Sequence, residues 1–240
     1  MRIAALADLH VPRTSPDVVG PVLARTAQEA DVLVLCGDLT DRGVEDEARI
    51  LTRLLGPVRV PVVAVLGNHD YEAGKPDDVR RVLVDAGVHV LDGESVEIDG
   101  VGFAGVKGFA GGFGQRALQP WGEPVIKQFV REAVEEALKL ESALAKLRTS
   151  RRVAVLHYAP IEATVKGEPP EIWPFLGSSR LEEPLSRYPV SAVFHGHAHG
   201  GSPEGRTRDD VAVYNVALPL LQRVFPDGPG FRGIELPSSG

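Results

Sequence analysis

The sequence predicts an α/β fold in which parallel and antiparallel strand pairs coexist. Two observations carry this reading. Short β-branched and apolar runs recur along the chain with helix-periodic segments between them, the pattern of parallel strands joined by helical crossovers. The run "VHVLDGESVEIDGVGFAGV" (88–106) is different: Asp92-Gly93 and Asp99-Gly100 separate short alternating segments, which predicts antiparallel strands.

Taken in order, "RIAALA" (2–7) reads as a strand, and "SPDVVGPVLARTAQEA" (15–30) as a helix with Ser15 at its N-cap and Pro16 in its first turn. Gly20 and Pro21 oppose that helix. "VLVLC" (32–36) is a second strand, "EDEARILTRLL" (45–55) a second helix, "VPVVAVL" (60–66) a third strand and "PDDVRRVLVDAG" (76–87) a third helix stopped by Gly87. The Gly- and aromatic-rich stretch 107–124 reads as a loop. The segment 125–147 is helical, because apolar residues at 126, 130, 133, 137, 140, 144 and 147 recur at steps of three and four. Its heptad-like spacing is expected to pack against its own domain, with a dimer contact as the alternative. "RVAVL" (152–156) is a strand, followed by a Pro-rich loop (159–177) and a short helix within "SSRLEEPLSRY". Strands are then expected at 190–194, 211–217 and 231–236. No linker divides the chain, so 1–240 is read as one domain with lid segments at 107–124 and 160–178.

Bulk properties narrow the function. The 240 residues suffice for a sizeable core, and 43% hydrophobic and 25% charged residues are typical of soluble globular chains. A formal charge of -7 opposes broad binding to nucleic acid or acidic membranes. A phosphate-bearing substrate stays compatible, because bound cations invert the local field. The single cysteine, Cys36, follows "VLVL" and reads as a small buried residue in a reducing compartment. Asp8 and His10 interrupt the N-terminal apolar stretch, which is short for a signal peptide, and no run approaches the roughly 20 apolar residues of a membrane helix. A cytoplasmic location is the expectation.

The polar residues then sort themselves. Asp8 and His10 follow the first strand; Asp38 and Asp41 the second; Asn68, His69 and Asp70 the third; His157 follows "VAVL"; and "HGHAHG" (195–200) follows "SAVF". Five predicted strands end in Asp, Asn or His, and six of the seven histidines lie there, only His89 elsewhere. Ligands of open α/β sheets bind outside the carboxyl ends of the strands. Neighbouring strands are roughly 4.8 Å apart, so several ends can converge. Clustered carboxylates repel one another unless cations lie among them. Mixed Asp, Asn and His donors suit Mn, Fe or Zn better than an all-oxygen calcium site. The spacing Asp8-x-His10 and His197-x-His199 would let both side chains of a strand-like tip point the same way. His195, at the strand end itself, reads as structural or as support for a ligand.

The series Asp8-Leu9-His10, Gly37-Asp38-Leu39-Thr40-Asp41-Arg42, Gly67-Asn68-His69-Asp70, His157-Tyr158-Ala159-Pro160 and Gly196-His197-Ala198-His199 resembles the calcineurin-like metallophosphoesterases in order and spacing. Segments 107–150 and 160–190 carry no motif of that family. The resemblance implies a four-layer sandwich, two mixed β-sheets flanked by helices, and two divalent or trivalent metal ions. It implies Asp8, His10, Asp38 and His199 as ligands of one ion. Asp38, Asn68, His157 and His197 would hold the other, with Asp38 bridging.

The expected chemistry is hydrolysis of a phosphodiester or phosphomonoester on a small molecule. Two cations roughly 3.5–4 Å apart neutralise phosphoryl oxygens and lower the pKa of a shared water, whose hydroxide attacks in line. His69, beside Asn68 but not needed as a ligand, is the candidate general acid, with Asp41 holding and charging it. Arg42 is a candidate phosphate contact or a structural ion pair. No basic stretch flanks the motifs, so no extended nucleic acid is expected as substrate. A catalytically silent binding scaffold of the same fold and a mononuclear hydrolase are the alternatives.

Overall fold

The computed structural model describes residues 1–237. Its first sheet contains β1 (Arg2–Leu6), β2 (Val32–Cys36), β3 (Val62–Val65), β4 (His89–Val90) and β11 (Arg232–Glu235) in the order β11-β1-β2-β3-β4. β1 to β4 run parallel; β11 pairs antiparallel with β1. The second sheet contains β5 (Glu94–Ile98), β6 (Val101–Val106), β7 (Arg151–Leu156), β8 (Ala192–His195), β9 (Glu204–Arg206) and β10 (Ala212–Asn215) in the order β5-β6-β7-β8-β10-β9. Only its edge strands β5 and β9 are antiparallel to their neighbours.

β2 and β3 are apolar without interruption because both of their faces are buried. Alternate residues serve different layers. Ala4, Leu6, Leu33, Leu35 and Ala64 face the helices α1 (Pro16–Glu29), α2 (Glu45–Leu55) and α3 (Pro76–Asp85). Ile3, Ala5, Val32, Val34, Val63 and Val65 meet Phe103, Val153, Val155 and Phe194 of the opposite sheet. The outer face of the second sheet packs Ala104, Val106, Ala154 and Leu156 against Leu140 and Leu144 of α4 (Pro124–Lys146) and Leu185 of α6 (Glu182–Arg187). The result is the four-layer sandwich, two mixed sheets flanked by helices.

Local chemistry explains the helix boundaries. Ser15 Oγ accepts from Asp17 N at 3.2 Å and caps α1. Pro21 lies inside that helix at an exposed position, despite its expected cost there. α2 lacks a side-chain cap; Glu45, Asp46 and Glu47 instead place negative charge at its N-terminus. In α4 the fully buried Glu136 interrupts the apolar stripe, accepting from Gly108 N at 2.8 Å and from Lys139 Nζ at 2.7 Å. A four-residue helix α5 (Trp173–Leu176) interrupts the Pro-rich loop.

One expectation changes. Asp92-Gly93 is no hairpin turn: β4 pairs parallel with β3, and the chain crosses there from the first sheet to the second. A positive-φ glycine turn serves a sheet-to-sheet crossing as well as a hairpin. The antiparallel hairpin at Asp99-Gly100 does form. Two elements were absent from the sequence reading, β9 and α7 (Leu218–Val224). Segments 107–124 and 160–178 are joined to each other, through Gly111 N to Pro174 O at 2.7 Å and Gly112 N to Gly177 O at 2.9 Å. Among the described residues no helix is long and apolar enough to cross a membrane.

Candidate metal centre

The two sheets present the carboxyl ends of β1, β2, β3, β7 and β8 to one common edge, and the polar strand-end residues meet there. Three overlapping donor groups result: Asp8, His10 and His199; His10, Asp38 and His69; and Asp38, His157 and His197, with donor atoms in each group within 4.8 Å of one another. Asn68 joins the third, its Oδ1 lying 2.9 Å from His157 Nε2.

The turns bearing these residues are not the strand-like tips expected from the x-spacing. β1 stops at Leu6 and β8 at His195, and Asp8, His10, Asp38 and His197 adopt φ values of 59°, 43°, 50° and 69°. Left-handed backbone at a non-glycine residue is sparsely populated and is retained where the surroundings over-determine it. Glycine would relieve the strain, so the side chains themselves account for these identities. Close approach explains the glycines next to them. A Cβ on Gly67 would fall 2.2 Å from Asp38 N and 2.8 Å from His157 Cε1. Gly67→Ala is therefore expected to displace both neighbours and to lower bound metal per chain, read by elemental analysis after dialysis.

The hydrogen bonds around His157 settle its chemistry. Its ring is fully buried, and Nδ1 donates to Cys36 O at 2.9 Å. Nε2 therefore carries a lone pair, and it faces Asn68 Oδ1 at 2.9 Å and Asp38 Oδ1 at 3.3 Å. Burial drives the His157 pKa well below its usual value, so a second ring proton does not fill this gap. Both nitrogens of buried His10 lack hydrogen-bond partners, with Nε2 3.6 Å from Asp38 Oδ2 and Nδ1 3.6 Å from Asp41 Oδ1. Burial lowers His10 to about 4.

Asp38 shows the same unmet demand for positive charge. Burial, reinforced by Asp8 and Asp70, pushes Asp38 up to about 9. Burial also acts to raise Asp8, but the hydrogen bond from His199 Nε2 at 2.9 Å and the neighbouring imidazoles outweigh it and hold Asp8 at about 2. Cations among these groups would reverse the Asp38 shift, since a bound ion is the largest local charge in such a site. The donor set thus fits metal ions.

Supporting residues fix the ligand-bearing turns. His197 N donates to Asp8 Oδ2 at 3.0 Å, and its Nε2 meets Phe175 O at 3.2 Å. His195 lies outside the donor groups; its Nε2 meets Thr164 Oγ1 and its Nδ1 Gly196 O, each at 2.8 Å. Asn215 Nδ2 donates to Ala198 O at 2.8 Å, and Arg223 Nη1 to His199 O at 2.8 Å.

The sequence reading gave no role to Asp70. It is fully buried and ties the β2 and β3 turns together, accepting from Gly67 N and Thr40 N at 2.8 Å, Leu39 N at 3.2 Å and Thr40 Oγ1 at 2.6 Å. Asp70→Ala strands these donors and is expected to cost about 3 kcal/mol of stability, read as a lowered urea midpoint.

His69 departs from expectation in one respect. Its Nδ1 meets the main-chain carbonyl of Asp41 at 2.7 Å, while the Asp41 carboxylate stands at 4.0 Å. The backbone orients the ring, because the Asp41 side chain turns towards His10 and Arg13. Arg42 is exposed and forms no ion pair among the described residues; its backbone N donates to Glu47 Oε2 at 2.8 Å. Arg13, unremarked in the sequence, places Nη1 3.6 Å from Asp41 Oδ1.

A sandwich of this topology, with Asp, Asn and His donors converging where parallel strands of both sheets end, defines the metal-binding phosphoester hydrolases. Residues 1–201 match the family model of the calcineurin-like phosphoesterases, and the chain belongs to that family. Among solved structures it resembles phosphopantetheinyl hydrolase from Mycobacterium tuberculosis, with a TM-score of 0.70 at 17% identity over 97% of this chain and 95% of that one. It also resembles a purple acid phosphatase from yellow lupin seeds, with a TM-score of 0.56 at 13% identity over 90% of this chain and 43% of that one. At such identities the likeness establishes the fold. No curated protein matches the sequence.

Proposed function

We propose that this chain is a dinuclear metal-dependent phosphohydrolase acting on a small-molecule phosphate ester. The observation that carries it is the convergence at His157: its Nε2 lone pair faces Asn68 Oδ1 at 2.9 Å and Asp38 Oδ1 at 3.3 Å, three donor atoms that a single cation would satisfy. Asp8, His10, Asp38 and His199 would hold one ion, and Asp38, Asn68, His157 and His197 the other, with Asp38 shared. The nitrogen–oxygen mixture favours Mn, Fe or Zn. Such ions supply neutralisation of the phosphoryl oxygens and an activated water.

The chain's own residues do the rest. Cys36 O holds His157 in the tautomer that leaves Nε2 free, the orienting role that partners of metal-bound imidazoles commonly play. His69 keeps Nδ1 on Asp41 O, so its Nε2 is the atom that gives a proton to the departing alkoxide. The ring is one-third exposed, with a side-chain relative accessibility of 33%, which lets it regain that proton from solvent.

The test loads metal-free protein with Mn and measures stoichiometry alongside hydrolysis of mono- and bis-nitrophenyl phosphate and a phosphopantetheine diester. Two ions per chain and metal-dependent turnover are expected. A loaded protein inert towards a broad phosphate panel identifies a silent scaffold. One ion per chain identifies a mononuclear hydrolase.

A further inference from the structure

Arg13 is a cation at the edge of the donor cluster. It lies in the turn after β1, closed by Thr14 N donating to His10 O at 3.0 Å, and its side chain is 71% exposed. Its single ion pair among the described residues is with Asp41 Oδ1 at 3.6 Å, too long for a hydrogen bond. Asp41 Oδ1 is itself buried without a hydrogen-bond partner. The five donors of the guanidinium fork are thus held beside the site by charge but remain unspent.

The placement relative to Asp38 decides what Arg13 can bind. His10 presents Nε2 to Asp38 Oδ2 and Nδ1 to Asp41 Oδ1, each at 3.6 Å, and Arg13 Nη1 stands 3.6 Å from that same Asp41 oxygen. Among the described residues Arg13 forms no ion pair with Asp8 or Asp38, the carboxylates of the donor groups. Its guanidinium is therefore placed beside the donor groups, where a neighbouring anionic group of a substrate held by them would meet it. Two other arginines near the strand ends serve differently: Arg223 is committed to His199 O, and Arg42 makes no ion pair among the described residues.

We propose that Arg13 anchors a second anionic group of the substrate, which makes the substrate class phosphate esters bearing a further phosphate or carboxylate close to the scissile bond. This rests on the phosphohydrolase reading above. A bidentate guanidinium–phosphate contact at an exposed site is expected to change binding about tenfold. Arg, not Lys, matches the flat pair of phosphate oxygens.

The experiment compares two substrates of the Mn-loaded protein: a nucleoside 5′-p-nitrophenyl phosphodiester and the same ester carrying a second phosphate on the sugar. The wild type is expected to show a KM about tenfold lower for the doubly charged ester. In Arg13→Ala the ratio of the two KM values falls to about one, in Arg13→Lys it lies between, and bound metal and thermal midpoint match the wild type. Equal KM values in the wild type overturn the proposal. A parallel rise of both KM values in Arg13→Ala overturns it too, since Arg13 would then hold the reacting phosphate. Loss of bound metal in that variant would make Arg13 a structural support. Absence of turnover of both esters while other phosphates of the panel are hydrolysed overturns the proposal; inertness towards the whole panel removes the phosphohydrolase reading itself.

Discussion

Asp38→Asn is expected to lose both ions and to slow hydrolysis by about 10³-fold or more, while the chain still folds. Asp38 belongs to two of the three donor groups and is the ligand shared in the proposed assignment, so its removal would touch both ions. Metal-held charge stabilisation is worth several kcal/mol in the transition state, and each 1.36 kcal/mol is about tenfold in rate. Folding survives because the hydrogen bond from His69 N to Asp38 Oδ1, 2.8 Å long, needs only an acceptor, which the amide oxygen supplies. The metal-free proteins carry a second, independent signature. Burial and neighbouring carboxylates raise Asp38 from 3.8 to about 9. A carboxyl raised in the folded state favours folding only while protonated, so metal-free wild type loses stability as pH rises from about 4 towards 9. The asparagine variant lacks this loss. Its thermal midpoint without metal should therefore exceed that of the wild type at neutral pH, and fall below it once Mn is added. Two ions per chain in Asp38→Asn would refute the shared-ligand assignment.

His69→Ala is the second large effect, with metal retained and turnover reduced. Positioned general acids typically contribute about 10²–10⁴-fold. Leaving-group chemistry separates this role from mere loop support. A p-nitrophenolate departs without protonation, whereas a simple alkoxide needs a proton. The variant should thus lose about 10²-fold or more on an alkyl phosphate and much less on the nitrophenyl ester. An equal loss on both would assign His69 to ligation or loop shape, roles its presence beside His10 and Asp38 also permits. Metal content distinguishes those two.

Much of the fold was legible because its strands are buried on both faces and its helices are strongly periodic. α2 spans the predicted 45–55, and β2 the predicted 32–36. β9 escaped notice because "EGR" is short and polar; main-chain pairing with Tyr214, Val213 and Ala212 makes it a strand. α7 escaped because seven residues beginning Leu-Pro carry too few turns for a periodic signal. Asp92-Gly93 misled because a turn dipeptide states that the chain bends, not which sheet receives it. Asp70 and Arg13 were silent because their meaning lies in partners far along the chain, such as Thr40 for the first and Asp41 for the second.

What the sequence by itself determined was the inventory and its order: Asp, Asn and His donors at the ends of five apolar strands, in a spacing shared with one family. Residue type and strand periodicity are local properties, so they can be read along the chain. The tertiary structure alone decided which donors meet, which nitrogen of His157 stays bare, and that the Asp41 backbone orients His69. These depend on distances between residues as far apart as Asp8 and His199, separated by 191 positions yet 2.9 Å apart. Such distances, and the burial that sets the charge of each group, exist only once both sheets have stacked.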